Sequence, residues 1–374
     1  MSAALTVVGA AALAGWLGVL LHPARPWDLR PRDGDESPEP AAWPEVCVLV
    51  PARNEATVLP ETLPHLLAQD YPGTWRVVVV DDRSTDGTAA TARRQASPRL
   101  VVVDGAPLPD GWVGKVWALE QGAAYAGDAD YLLLTDADIV HAPSSLRTLV
   151  AESLTHGLAL DSRMALLHIA SSTERLLVPP FAFFFALLYP MRWANDGRRR
   201  LAAAAGGCVL VRADTLAAAG GFAGIRGAVI DDIGLARIVK RLGAPIRLAV
   251  SRGDVRSVRA YSSLSAFWRT VRRTAFTQLR RSWALLAATT IALAVLFIAP
   301  PVLLVLGLAG TSGWTSPLLG GLAWLAATLA YLPTVRFYGC SPLWTLTLPL
   351  AGALYGGMTI DSAIRASRAG RVVW

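Results

Sequence analysis

Charge is missing from two long stretches of this sequence. No Asp, Glu, Lys or Arg precedes Arg25, and between Trp283 and Asp361 the only one is Arg336. With 53% hydrophobic residues over 374 and a mean hydropathy of +0.41, this excludes an ordinary soluble protein of that length. Residues 3–22 are about long enough to cross a ~30 Å hydrocarbon core as a helix. Further spans are expected near 285–308, 317–335 and 342–360. A cleaved signal peptide is the poorer reading of the first run, because no basic segment precedes it and no convincing small-residue cleavage site follows. Cysteine is scarce: Cys47, Cys208 and Cys340 are widely spaced without a C-x-x-C, which points away from a disulfide framework and a zinc site. Cys47 lies in an apolar strand-like run and reads as core. No G-x-G-x-x-G follows the first strand, so a dehydrogenase-like dinucleotide site is not expected.

The net charge of +7 does not imply nucleic acid, since the basic residues crowd near apolar segments rather than among exposed stacking aromatics. A leaflet containing anionic lipid is the expected partner. Arg25, Arg30 and Arg32 follow the first span with nothing basic before it. The positive-inside bias then puts the N-terminus outside and the polar middle in the cytoplasm, as expected for a protein of the inner membrane. Four full spans would set Arg365, Arg368 and Arg371 outside, against that bias, which leaves a re-entrant or interfacial C-terminal segment open.

Residues 23–45, rich in proline and charge, read as a linker between an anchor over 1–22 and a folded domain over 46–263. Strand-like runs at 46–52, 75–82, 99–105 and 131–138 alternate with helix-like stretches at 57–69, 87–96, 114–126 and 144–156. Continuous apolar strands joined by helices predict a doubly wound α/β domain with a parallel sheet, whose ligands sit beyond the carboxyl ends of the strands. The polar residues gather there: Pro51-Ala52-Arg53-Asn54-Glu55, then Asp81-Asp82-Arg83-Ser84-Thr85-Asp86-Gly87, then Thr135-Asp136-Ala137-Asp138. Asp136 and Asp138 are spaced so that two carboxylates can share one hard divalent cation, which would neutralise a departing diphosphate. The same spacing suits a turn with Asx-type hydrogen bonds.

These three elements, in this order, resemble the family 2 glycosyltransferases, whose nucleotide-sugar-binding domain has the GT-A fold. The resemblance implies that Pro51, Arg53 and Glu55 line the nucleoside site, that Asp82 accepts from the base, and that Asp136 and Asp138 bracket the ribose and a Mg2+ or Mn2+ ion. Gly111-Trp112-Val113-Gly114-Lys115 is similar to a G-W-x-G-K element of lipid-modifying members, which makes Lys115 a donor contact; a solvated lysine at a helix start fits the residues nearly as well. Gly206 and Gly207 match glycines on the sugar and acceptor side, or mark a tight turn. Asp231-Asp232 opens an amphipathic helix, where acids cap and favour the dipole. In the family this pair carries the catalytic base, and the resemblance assigns it to Asp232, with Asp231 as rival.

Gln278-Leu279-Arg280-Arg281-Ser282-Trp283 is similar to the family's Q-x-x-R-W, but Ser282 stands where tryptophan is expected. That leaves Gln278 and Arg281 as donor contacts, puts acceptor stacking by Trp283 in question, and argues against a processive polysaccharide synthase. Leu264, Phe267, Trp268, Val271, Ala275, Leu279 and Trp283 recur at helical spacing with arginines on other faces, so 264–283 is expected to lie in the membrane interface and hold the site against lipid. Residues 176–189 are proline-broken and too short to span, and suit a lipid-facing acceptor entrance or core packing equally. Membrane segments over 284–360 and a basic tail over 361–374 complete the chain. The layout most resembles the hopene-associated glycosyltransferases, which implies inverting transfer of a sugar from a nucleotide diphosphate donor, UDP-linked in that resemblance, to a hopanoid. Ceramide-, diacylglycerol- and polyprenyl-type acceptors are the alternative. A non-catalytic scaffold or transporter is disfavoured by the lack of intramembrane charge other than Arg336.

Overall fold

The computed structural model describes residues 2–30, 37–251, 253–310 and 313–369. Part of the expected linker, including Arg32, and the end of the basic tail, including Arg371, lie outside the described residues, as does Met1. The chain divides into two compact units, one drawn from Met1–Arg30, Ile169–Pro190 and Ala260–Val372, the other from Pro31–His168 and Met191–Arg259. The continuous domain expected over 46–263 is thus interrupted by Ile169–Pro190.

The second unit is the α/β one. Its strands are β1 (Val46–Ala52), β2 (Trp75–Asp81), β3 (Leu100–Asp104), β4 (Tyr131–Leu134), β5 (Ile139–His141), β6 (Leu160–Met164), β7 (Val209–Arg212), β8 (Ile246–Val250) and β9 (Val255–Ser257). Seven form one sheet in the order β3-β2-β1-β4-β7-β6-β8, and β5 pairs with β9 in a separate ribbon. The β3-β2-β1-β4 half is parallel, as its apolar runs predict. The other half is mixed, since β7 runs antiparallel to both β4 and β6. Every residue of β1 is buried, because helices cover both faces of a parallel sheet and leave no polar side for alternation. Each such Val or Leu contributes about 1.5–3 kcal/mol through burial. The expected strand over 131–138 ends at Leu134, so Thr135–Asp138 form the loop into β5.

The order of the strands reverses at β1, and there β1 and β4 part. Their pairing ends at Leu49 and Leu134, whereas β1 stays on β2 through Ala52. Pro51 therefore falls past the β1–β4 ladder, where its missing N–H breaks no bond to β4. The gap is a switch-point crevice, the place where open α/β sheets take their ligands.

The other unit is helical. Four helices among the described residues are long and apolar enough to cross a membrane: Ala3–Leu21, Trp283–Leu308, Thr315–Phe337 and Pro342–Arg368. Trp283–Leu308 contains a wider i→i+5 turn at Ala294–Ile298, just before Pro300 and Pro301, which have no N–H to donate. Gly320 is required by close packing, because a Cβ there would stand 2.7 Å from Pro300 O. Residues 172–188 form one helix despite Pro179 and Pro180. Leu177 and Phe183 are buried, with the Phe183 ring stacked on Trp16 at 6.3 Å and 5.1 Å from Tyr331, while Leu188 is exposed. Core packing thus accounts for much of this apolar stretch.

The amphipathic helix is shorter than its periodicity predicts. It spans Leu264–Gln278, and a new helix begins at Trp283. Between them Arg280 and Arg281 take left-handed backbone conformations, φ 54° and 55°, which a regular helix cannot continue through. Phe267, Val271 and Phe276 are buried, and Trp268 Nε1 donates to Asp361 Oδ2 at 2.8 Å. Part of the apolar stripe therefore meets protein, whereas Leu264 and Trp283 remain exposed.

Candidate functional site

Two loops at the carboxyl ends of β1 and β2 are stitched together. Asn54 N donates to Ser84 Oγ at 2.9 Å, Glu55 N to Thr88 Oγ1 at 2.9 Å and Ala56 N to Asp86 Oδ2 at 3.0 Å. Asn54 and Arg83 both have positive φ, 56° and 55°, a strained conformation for residues other than glycine that persists where surroundings over-determine it. Ser84 and Asp86 thus act as braces for the loop carrying Arg53 and Glu55. Arg53 Nη1 donates to Asp82 Oδ2 at 3.2 Å. Burial raises the pKa of Asp82, and the Arg53 guanidinium opposes that shift.

A second group of charges lines the crevice, with Pro51, Thr135 and Gly206 beside it. Lys115, at the start of the helix Gly114–Ala123, places Nζ 2.7 Å from Asp136 Oδ1 and 3.2 Å from Asp231 Oδ2. Burial alone would lower the lysine's pKa, but Asp136, Asp231 and Asp232 outweigh it and hold the ammonium charged. Asp231 and Asp232 open the helix Asp231–Arg241, where the exposed N–H groups favour acids. Asp232 Oδ2 accepts from Gly206 N at 2.8 Å and Oδ1 from Ile233 N at 2.7 Å. Burial, then the neighbouring Asp231, push the Asp232 carboxyl up to about 7, against the pull of Lys115 and those two backbone donors.

Asp138 sits differently from its partner two residues earlier. Its Oδ2 accepts from Ser257 Oγ at 2.9 Å and from Arg259 Nε at 2.9 Å, and the same guanidinium donates through Nη2 to Glu55 Oε1 at 2.6 Å. Burial raises the Glu55 pKa, and Arg259 pulls it back. Thr135 is fixed by donation to Gly207 O at 2.9 Å and by contact with His141 Nε2 at 2.8 Å. Burial, with His65 adding to it, pushes His141 down to about 4, so it is neutral.

Could these residues hold a hard cation? Among the described residues no group of three or more His, Cys, Asp or Glu makes a protein-only site. Asp136 and Asp138 each engage one oxygen with a cationic side chain. Two carboxylates at this turn suit a hard cation that takes its other ligands from a diphosphate and water, the usual manner for Mg2+.

Eleven of the sequence candidates, Pro51, Arg53, Glu55, Asp82, Lys115, Asp136, Asp138, Gly206, Gly207, Asp231 and Asp232, lie in the α/β unit. Gln278, Arg281 and Trp283 lie in the helical unit, where the Gln278 amide donates to the Tyr189 hydroxyl and Trp283 packs 5.5 Å from Phe276. Sequence reading missed Arg259, Ser257 and His141. A lone arginine after a three-residue strand carries no motif, and only the β5–β9 pairing of Ile139 with Ser257 brings it to Asp138.

Residues 47–176 match the model for glycosyl transferase family 2. A beta-monoglucosyldiacylglycerol synthase of Synechocystis sp. is 39% identical over 108 residues, 28% of this chain and 22% of its own. A 4,4'-diaponeurosporenoate glycosyltransferase of Staphylococcus aureus is 33% identical over 123 residues, 33% of this chain and 30% of its own. The chain thus spans less than a third of the length of these curated relatives. A mannosyltransferase from Pyrobaculum calidifontis, solved with GDP-Man and Mn2+, shares the fold with a TM-score of 0.61 at 23% identity, covering 96% of this chain and 98% of that one. The chain is thus similar to glycosyltransferase family 2 over residues 47–176 and has an α/β sheet of GT-A type, and its described residues include four helices long and apolar enough to cross a membrane.

Proposed function

We propose that the protein is an inverting glycosyltransferase that moves a sugar from a nucleotide diphosphate donor, UDP-linked in our reading, to a membrane lipid at the cytoplasmic face of the inner membrane. One observation carries the reading: the Lys115 ammonium contacts both Asp136 and Asp231, so the strand end suited to a diphosphate and the acid pair suited to proton removal share a single crevice. In this reading Pro51, Arg53, Glu55 and Asp82 receive the nucleoside, and Gly206 and Gly207 leave room for sugar and acceptor. Asp232 takes the proton of the acceptor hydroxyl as oxygen attacks the anomeric carbon and the bond to the diphosphate breaks. Its carboxyl, pushed up to about 7, is matched to a base working near neutral pH. Gln278 and Arg281 are donor contacts and Trp283 an acceptor contact only by resemblance.

Mg2+ or Mn2+ would be held by Asp138 and Asp136 and would supply charge neutralisation for the leaving diphosphate. Among the described residues, five carboxylates, Glu55, Asp136, Asp138, Asp231 and Asp232, gather around two cations, Lys115 and Arg259, an unfavourable field for a bare anion. The Pyrobaculum protein's GDP-Man and Mn2+ are consistent with this requirement.

The layout favours a hopanoid acceptor by resemblance. A second reading, a glycerolipid or a carotenoid acid, is favoured by the names of the two relatives. Calorimetric titration of UDP- and GDP-sugars with and without divalent metal tests the donor half. Incubation of the labelled donor with fractionated membrane lipids then identifies the acceptor. Donor binding that is indifferent to metal, with no lipid product, would overturn the reading.

A further inference from the structure

Both carboxylates of the Asp136-Ala137-Asp138 turn carry a cation of the protein's own. Lys115 serves Asp136 from within the crevice, where its side chain is 16% exposed. Arg259 serves Asp138 from its rim, with a side chain 41% exposed. The two anchors of Arg259 belong to different layers of the donor region: Asp138 follows β4, and Glu55 follows β1 on the braced loop. The chain segment behind Arg259 is fixed, since Val258 N donates to Asp138 O at 2.9 Å and Ser257 pairs with Ile139 across the ribbon. Among the described residues, its guanidinium is held by the two carboxylates alone.

We propose that Arg259 is a resident counter-cation, held by Asp138 and Glu55 in the donor-free protein, which a divalent cation must displace, so that metal binds tightly only together with a nucleoside diphosphate. The inference rests on the reading of Asp138 as a metal ligand. Three physical points support it. Asp138 is 8% exposed, and a buried carboxylate left without a cation is costly, so the apo site needs a substitute. The Asp138 oxygen nearest Arg259 accepts from both Ser257 and the guanidinium, which reduces its availability to a metal. A guanidinium released into the crevice rim finds in a diphosphate a partner that matches its planar donor fork, so the anion offsets what the metal displaces. Arg259 is then a positioning residue: it withholds the metal until the donor's diphosphate arrives.

The test is Mn2+ binding by electron paramagnetic resonance on the full chain in detergent, with and without UDP or GDP. In the wild type, either nucleotide should tighten Mn2+ binding strongly. In Arg259→Gln, Mn2+ alone should bind at least about tenfold more tightly than to wild type, a factor equal to ~1.4 kcal/mol, and the tightening by nucleotide should shrink. Arg259→Lys, which keeps the charge but loses the two-point fork, should fall between. Mn2+ binding in Arg259→Gln equal to or weaker than wild type, with the circular dichroism spectrum unchanged, overturns the proposal, and if that variant does not fold, Arg259→Lys decides by the same comparison. Asp138→Asn separates the two levels of inference. Should it retain wild-type Mn2+ binding, the metal reading itself fails and takes this proposal with it; should it lose Mn2+ while the Arg259 variants leave binding unchanged, only the role of Arg259 fails.

Discussion

Gly206 donates its backbone N–H to Asp232 Oδ2 at 2.8 Å, so the loop before β7 holds one oxygen of the carboxylate at the head of the Asp231–Arg241 helix. The absence of a side chain at Gly206 matters to that contact. A Cβ there would lie 3.2 Å from Lys115 Nζ and 3.4 Å from Asp232 Oδ2, tight enough to move the ammonium and press on the carboxylate.

Gly206→Ala should therefore slow transfer by roughly tenfold, well within what sub-ångström misplacement of reacting groups costs, while donor affinity changes little. Steady-state kinetics alongside donor calorimetry checks the split. Unchanged kcat would show that Lys115 yields without disturbing Asp232.

Asp232→Asn should bind donor normally and lose transfer by about 10²–10⁴-fold, the usual worth of a positioned general base. Asp231→Asn should lose less, because successive residues on a helix point about 100° apart and the two acids face different partners. The opposite ranking in folded variants would make Asp231 the base.

The pH profile follows from the Asp232 carboxyl, pushed up to about 7 by burial and Asp231. With Asp232 as the base, the active form is its carboxylate, so kcat/KM should fall as pH drops below about 7 and level off above it. Removing the Asp231 charge lowers the Asp232 pKa, and the acid limb of Asp231→Asn should move to lower pH. An acid limb that stays in place in that variant would assign it to another group.

Asp138→Asn should abolish turnover while leaving expression intact, since the diphosphate would lose its cation. The variant is compared with wild type under a chelator. Wild-type rates in both conditions would remove metal from the mechanism.

Away from the crevice, Arg163 and Arg247 are buried with Glu152 and Asp161, and Arg247 donates to Asp161 Oδ1 at 3.0 Å and Oδ2 at 2.7 Å. Burial pushes Asp161 up to about 6 against that guanidinium. Arg247→Met should cost about 3–5 kcal/mol, because it strands buried carboxylates rather than merely deleting a contact. A lowered midpoint of thermal unfolding in detergent reports it. A midpoint equal to wild type would mean that the carboxylates take up protons at no cost.

Much of the α/β half was legible because its signals are local. The apolar runs of β1 to β4 have the length and composition of buried parallel strands, and the polar turns after them mark the ligand edge. The acid pair Asp231-Asp232 was visible as a helix start. The antiparallel β7 was not, since strand direction depends on which edge of the sheet a segment reaches, and its residues read alike in either direction. Nor was the break after Gln278, where the hydrophobic period runs on through Trp283 while Arg280 and Arg281 turn the backbone left-handed.

By itself, then, the sequence determined the two apolar ends, the parallel half-sheet and the chemical identity of the residues at its edge, because periodicity, run length and capping are properties of neighbours along the chain. Only the tertiary structure decided which charges meet. Arg259 stands 121 residues from Asp138 and 204 from Glu55, and no local pattern specifies an ion pair across such distances. That pairing comes from the β5–β9 ribbon and from burial, which makes a lone carboxylate costly and so gives each buried acid a partner wherever the fold brings a cation within reach.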